Sequence, residues 1–319
     1  MQSIHKSDLL TMNNSPLVSV ITPCFNASRF IVETIESVCN QNYSNIEHIV
    51  MDGGSDDGTQ QLLACFPKLI WVSEPDCGQS DALNKGFQRS KGEIIGWLNA
   101  DDTYWSDAVS IAVHFLQENP EIDIVYSDVQ VVDDVGKFSG ISKSQPFDLS
   151  TLIGTNYIRQ PTVFMRRSVI DKLKGVDESL HYVMDYEFWL RAGLAGFRMQ
   201  YIEGQILANF RICEGTKSFE QAPLFLLEWM CVLERVFRDT YFDNVDNFIK
   251  LRILRKTRSQ YYFSQSIQAI RKKDKRDTFV YFVKAIKEDL NIALYMGNWL
   301  IIIMGLFGRS VYWRTKFKN

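Results

Sequence analysis

The chain has 319 residues, 46% apolar and 23% charged, which suits a folded protein with a sizeable core and excludes a disordered or fibrous chain. The net charge of −3 hides an asymmetry: residues 250–319 carry 16 Lys+Arg against 4 Asp+Glu, while residues 1–249 carry 19 against 34. An acidic body disfavours nucleic acid and suits a divalent cation, and a basic tail suits an anionic surface.

Six cysteines (Cys24, Cys39, Cys65, Cys77, Cys213, Cys231) lack CxxC spacing. They read as buried, reduced thiols of a cytoplasmic protein rather than a disulfide framework or zinc site. Residues 1–16 hold no apolar run and read as a flexible lead-in without a signal peptide.

Leu17–Thr22 is a β-branched run that predicts a buried strand, and Ser28 is placed to cap a helix burying Ile31, Ile35 and Val38. Ile46–Met51 predicts the second strand, ending on Asp52 and the acidic, glycine-rich turn GGSDDGT before a helix at Gln60–Phe66. Leu69–Val72, a helix at Ser80–Arg89 and a strand at Glu93–Leu98 follow. Strands alternating with helices predict an α/β protein with a parallel sheet, whose ligands sit beyond the strands' C-terminal ends. Three of those ends are polar: Pro23–Asn26, Asp52–Thr59 and Asn99–Asp102.

Asp107–Asn119 predicts a helix, Ile122–Tyr126 and Asp128–Val132 predict strands, and Asp133–Gly136 a turn. Arg159–Met165 reads as an extended piece before a short helix at Ser168–Leu173. Tyr182–Leu194 has helical spacing with Asp185 near its start, and Met199–Ile202 reads as a closing strand. From about Glu220 the pattern turns helical, over Ala222–Arg238 and Lys250–Ala269, with the charge run Arg271–Arg276 after them. Leu290–Gly308 has no charged residue across 19 positions, with basic residues after it. It ranks first as an interfacial segment on anionic lipid, then as a core helix, and last as a span.

Two adjacent carboxylates at the end of an apolar strand are costly without a positive partner. Asp101 and Asp102 therefore suit Mg²⁺ or Mn²⁺ carrying a phosphate, or else cap the next helix. Asp52 can accept hydrogen bonds from a planar ring bearing N–H groups, and DGGSDDGT lacks the GxGxxG spacing of a dinucleotide site. Asp185 in the first turn of a helix is favoured there by the dipole whether or not it reacts.

VSVITPCFN, IEHIVMDGGSDDGT, EPDCGQSDALNKGF, KGEIIGWLNADD and MDYEFWLR occur in that order. Together they resemble family 2 glycosyltransferases of the GT-A fold, over roughly residues 17–215. The resemblance implies a GT-A-type Rossmann-like mixed sheet flanked by helices over 17–218 and a helical C-terminal region over 219–319. It implies inverting transfer of a sugar from a nucleotide diphosphate, a UDP-sugar first, with Mg²⁺ or Mn²⁺. It places Thr22, Pro23, Asn26, Asp52, Asn84, Lys85, Asn99, Asp101 and Arg191 at the nucleotide sugar. It makes Asp102 the metal ligand with Asp101 beside it, and Asp185 the catalytic base. Asn99 stands where Asp is common, Met184 where an acid usually precedes the catalytic aspartate, and Cys213 where His is common. Arg211 and Lys217 are the local candidates for a phosphate clamp. The acceptor expected is a glycan or lipid-linked sugar of surface polysaccharide assembly, with peripheral contact on the inner face of the plasma membrane. The alternatives are a catalytically weak nucleotide-sugar-binding module and a nucleotidyltransferase; PCFNASRF lacks the basic phosphate loop that the latter needs.

Overall fold

The computed structural model describes residues 15–212, 221–238 and 246–291. Lys217, Cys213 and residues 292–308 of the apolar tail lie outside them.

The first half is a run of βαβ units: β1 (Val18–Cys24), α1 (Ile31–Cys39), β2 (Ile46–Asp52), α2 (Thr59–Leu63), β3 (Ile70–Ser73), α3 (Gln79–Arg89) and β4 (Ile94–Trp97). All four strands are parallel, in the order β3-β2-β1-β4. The chain winds outward from β1 to β3, then returns to the other side of β1. That reversal opens a crevice between the C-terminal ends of β1 and β4, where open α/β sheets bind ligands. β1 is buried along its whole length because it is central and covered on both faces.

The second half widens the sheet. It comprises β5 (Thr103–Tyr104), α4 (Ala108–Glu118), β6 (Ile124–Val132), β7 (Phe138–Ser142), α5 (Leu149–Gly154), β8 (Phe164–Arg166), α6 (Arg167–Leu173), α7 (Met184–Leu194) and β9 (Met199–Arg211). β8 joins β4 antiparallel, β6 follows it, β9 runs parallel to β6, and β5 closes the edge. The two apolar stretches read as separate strands are one strand, β6, whose register against β9 shifts around Asp128. β9 runs nine residues beyond the short strand expected, past Gly204 at φ 77°.

Alternation along the strands builds two layers. Ile21, Ile49, Ile95 and Trp97 pack against α3 and α7. Val18, Val20, Ile94 and Val125 pack against α4 through Val109, Ala112 and Leu116. The C-terminal helices are α8 (Ala222–Val236), α9 (Asn247–Arg271) and α10 (Lys275–Glu288). Val232 and Leu233 of α8 are fully buried in the layer that holds α7. Among the described residues the expected buried thiols reduce to Cys24, since Cys39, Cys65, Cys77 and Cys231 are exposed. No described helix is long and apolar enough to cross a membrane.

Candidate functional site

The β1 and β2 ends form one side of the crevice. Asn26 sits at φ 48°, donates its backbone N–H to Ser55 Oγ (2.8 Å) and accepts the Asp56 N–H on Oδ1 (3.1 Å). Asp57 accepts from Thr59 and Ser28. Desolvation opposes the charge on Asp57, but these bonds hold its carboxyl down to about 2. Gly53 is glycine because a Cβ there would meet the Asp76 carboxylate at 2.6 Å. Asp52 is buried and accepts from Ser55 N–H (3.1 Å), Ser55 Oγ and Ser73 Oγ (2.6 Å). The Cys24 thiol also bonds this carboxylate.

Several residues expected at the donor are engaged elsewhere. Thr22 is buried, with Oγ1 2.9 Å from His48 Nε2. Pro23 is buried one residue before β1 ends. Asn84 is a clasp: Nδ2 donates to the Val176 carbonyl (3.0 Å) and Glu178 Oε1 (2.9 Å), and Oδ1 accepts from Val176 N–H (2.9 Å). Lys85 pairs with Glu74 (3.3 Å) and Asp81 (3.2 Å). Arg191 donates to both Glu187 oxygens and to the Leu173 and Gly175 carbonyls. It sits about 9 Å along α7 from Asp185 and locks that helix to the loop after α6. In Asn84 and Arg191 the donors are taken up by backbone carbonyls of the loops, and in Lys85 by two carboxylates.

Arg211 is likewise a strut and not a free clamp. It is 4% exposed. Its backbone N–H reaches Asp102 Oδ1 (3.0 Å), Nε the Asp101 carbonyl (3.0 Å), Nη1 the Asp133 and Asp134 carbonyls (3.2 Å each), and Nη2 Glu33. The end of β9 is thereby tied under the Asp101–Asp102 corner. Neither aspartate caps the next helix, whose N-cap position is Asp107 and which has no side-chain cap. Asp102 is 1% exposed and its Oδ2 has no hydrogen-bond partner. Burial, then the charge of Asp101, pushes its carboxyl well above the usual range. Asp101 is only partly buried.

Asn99 is explained by its neighbours. Gln160 Nε2 is fixed on the Trp97 carbonyl (2.6 Å), so its Oε1 faces Asn99 and needs a donor. Asn99 Nδ2 supplies it (2.9 Å), while Asn99 Oδ1 accepts from Gln79 Nε2 (2.9 Å) and Trp97 Nε1 (3.0 Å). An aspartate could accept but not donate.

From Gln160 the polar contacts continue to the far side. Gln160 follows Arg159, whose Nη1 donates to the Asn156 carbonyl (3.3 Å). Asn156 Nδ2 donates to Asp185 Oδ2 (3.2 Å). Asp185 lies in the first turn of α7, partly buried. Desolvation raises its carboxyl above the ordinary range, against the N–H of Tyr186, the Asn156 amide and the charge of Arg159. Four buried polar atoms along this line lack partners: Asp102 Oδ2, Asn156 Oδ1, Arg159 Nε and Trp189 Nε1. A polar ligand in the crevice would complete such atoms.

The helix that carries Asp185 is held from two sides. Trp189 packs on Trp97 of β4, ring centroids 6.4 Å apart. Glu228 of α8 accepts the N–H groups of His181 (2.8 Å), Tyr182 (2.7 Å) and Val183 (3.1 Å), just before α7. Tyr186 lies against Trp229 at 4.3 Å. Sequence reasoning missed Asn156, Arg159, Gln160 and Glu228. The signal for Arg159 and Gln160 was the polar RQ pair before a proline in an otherwise apolar strand approach; Asn156 and Glu228 had none.

Among the described residues no three His, Cys, Asp or Glu side chains converge as a metal cage. The unpartnered Asp102 oxygen beside Asp101 nevertheless fits a hard dication. Mg²⁺ in particular is held by one or two carboxylates plus substrate phosphates and water.

Comparison with known proteins follows the same lines. The family model described as Glycosyl transferase family 2 matches residues 19–173. An uncharacterized glycosyltransferase of Rickettsia prowazekii is 29% identical over 209 residues, 62% of this chain and 64% of that protein. An uncharacterized glycosyltransferase of Mycobacterium tuberculosis is 34% identical over 188 residues, 57% of this chain and 71% of that one. Against that Rickettsia relative, the matched part is thus somewhat under two thirds of the relative's length. In structure, S. aureus TarS 1–349 in complex with UDP-GlcNAc superposes with a TM-score of 0.61 at 18% identity, covering 93% of each chain. The mannosyltransferase PcManGT from Pyrobaculum calidifontis, in complex with GDP-Man and Mn²⁺, gives 0.58 at 16% identity, covering 92% of this chain and 80% of that one. These likenesses extend the shared fold through the mixed sheet into the C-terminal helices. With its strand order, its polar crevice at the β1–β4 reversal and these relatives, the chain belongs to glycosyl transferase family 2 and has a GT-A-type fold.

Proposed function

We propose that this glycosyltransferase moves a sugar, with inversion, from a UDP-sugar to an acceptor hydroxyl, with Asp185 as general base. One observation carries the reading: Asn99 at the end of β4 bonds Gln160, and the adjoining Arg159 bonds Asn156, whose amide reaches Asp185. It sets one carboxylate apart from the Asp101–Asp102 pair on the same crevice. Inverting transfer needs that division, a base on the acceptor side and charge stabilisation on the donor side.

The acceptor hydroxyl gives its proton to Asp185 as its oxygen attacks the anomeric carbon in line. The new C–O bond forms, the bond to the diphosphate breaks, and the nucleoside diphosphate leaves with the electron pair. Asp52 and the Asn26–Ser55 loop pair take the base side. Asp101 and Asp102 would hold Mg²⁺ or Mn²⁺, which supplies charge stabilisation to the departing diphosphate. Asp102 would offer its unpartnered Oδ2, its Oδ1 being held by the Arg211 N–H, and the partly buried Asp101 would complete the pair. The neighbours solved with UDP-GlcNAc and with GDP-Man and Mn²⁺ support a nucleotide-sugar donor. The acceptor is proposed to be a glycan or a lipid-linked sugar of surface polysaccharide or glycolipid assembly.

The test is a panel of nucleotide sugars scored for binding and slow hydrolysis, with and without Mn²⁺. UDP-sugars are expected to bind and turn over, more tightly with the metal. Binding without any turnover across the panel would favour a module that only holds nucleotide sugars.

A further inference from the structure

We propose that the tip of the α9–α10 hairpin and the outward face of α10 form a docking surface for an anionic lipid bilayer. The hairpin is rigid on its inner side. Thr278, Phe282 and Ala285 of α10 are at most 1% exposed. Ser266 Oγ donates to the Thr278 carbonyl (2.9 Å) and Ser259 Oγ to the Ala285 carbonyl (2.7 Å), and Arg255 reaches the Lys287 carbonyl (3.1 Å). These bonds fix which face of α10 points away from α9.

That outward face mixes cations with uncovered apolar side chains. Lys272, Lys273, Lys275 and Arg276 are all exposed at the tip. Phe279 (59% exposed) and Val280 (39%) follow one turn on. The face continues to Lys287 and Leu290, the latter 69% exposed, while the Lys284 ammonium turns back over the Tyr262 and Tyr281 rings. Between residues 271 and 287 there are seven Lys+Arg and two Asp, and Asp274 is occupied by the N–H of Asp277. A stable fold gains nothing from leaving a phenylalanine in water beside the four cations of the tip. Basic side chains around an exposed aromatic on a helix lying flat are what an anionic interface selects. Self-association through this face is opposed by its own charge. Through α8, whose Glu228 holds the start of α7, the docked hairpin is joined to the crevice, so the enzyme would work beside the bilayer on acceptors presented there. The inference does not depend on the donor or on Asp185.

The experiment uses the full chain and vesicles of phosphatidylcholine with or without 30% phosphatidylglycerol, read by co-sedimentation. The chain is expected to bind the anionic vesicles only, and to be released at high salt. The triple variant Lys272→Glu, Lys273→Glu, Arg276→Glu is expected to lower partitioning by about a hundredfold, and Phe279→Ser by several-fold, at unchanged circular dichroism. Equal partitioning of parent and variants, equal binding to neutral vesicles, or binding to soluble polyanions such as heparin without vesicle binding would each overturn the proposal.

Discussion

Asp102 and Asp185 are both withdrawn from water on one crevice, and the chain surrounds them differently. Asp102 has a second carboxylate beside it, one backbone N–H on Oδ1 and nothing on Oδ2. Asp185 has a helix N-terminus, an amide and a nearby guanidinium. The first environment is unfinished without a cation; the second already supports a single negative charge and can take up a proton. Two aspartates on one crevice, one fully and one partly buried, are told apart by what would complete them.

The largest expected effect follows from that contrast. Asp185→Asn should lower transfer by about a thousandfold, within the range for a positioned base, with the fold unchanged by circular dichroism. Unaltered turnover would remove Asp185 from the base position. Next is Glu228→Ala, which strands three N–H groups before α7. We expect a loss of about 1–2 kcal/mol in thermal or urea unfolding, and a lower kcat with the nucleotide Kd unchanged; Glu228→Gln should restore much of both. A change confined to nucleotide binding would contradict the placement of Glu228 behind the base.

A smaller effect concerns pH. As the proposed base Asp185 would have to be ionised, and burial raises its carboxyl above the ordinary range, so transfer should fall on the acid side at a higher pH than for a solvated aspartate. Asn156→Ala removes a donor to the charged form and should move that limb further up; a limb that stays or moves down would break the link between Asn156 and Asp185. The smallest effect lies away from the crevice. Burial depresses the His48 imidazole to about 3. The unfolded chain therefore binds a proton that the folded chain refuses as pH falls below the ordinary histidine value of about 6.5. Stability is full above that value and declines toward pH 3, and His48→Gln should flatten this slope in urea melts at successive pH values.

The parallel half of the fold was legible because each strand is a short β-branched run and each helix has its apolar spacing, as in β1 and α3. The widened half was harder. β5 has two residues and α5 six, too short for periodicity. Gly204 and the exposed Glu203 and Gln205 interrupt β9, so its later half reads as loop. The site was legible as positions more than as roles. Asp52, Asp101, Asp102 and Asp185 do border the crevice loops, but whether a polar side chain is free or consumed depends on carbonyls brought in from distant loops. Arg191, Asn84 and Arg211 show this: each is polar in sequence and spent in structure. Asn99 shows the converse, since its departure from the common Asp is dictated by Gln160, 61 residues on.

The division of labour is tested most directly by calorimetric titration of UDP, with and without Mn²⁺, into the parent, Asp101→Asn and Asp185→Asn proteins. The account predicts that Mn²⁺ tightens UDP binding in the parent and in Asp185→Asn alike, and that Asp101→Asn loses this gain while keeping its metal-free affinity. Loss of the Mn²⁺ effect in Asp185→Asn, or its survival in Asp101→Asn, would contradict it.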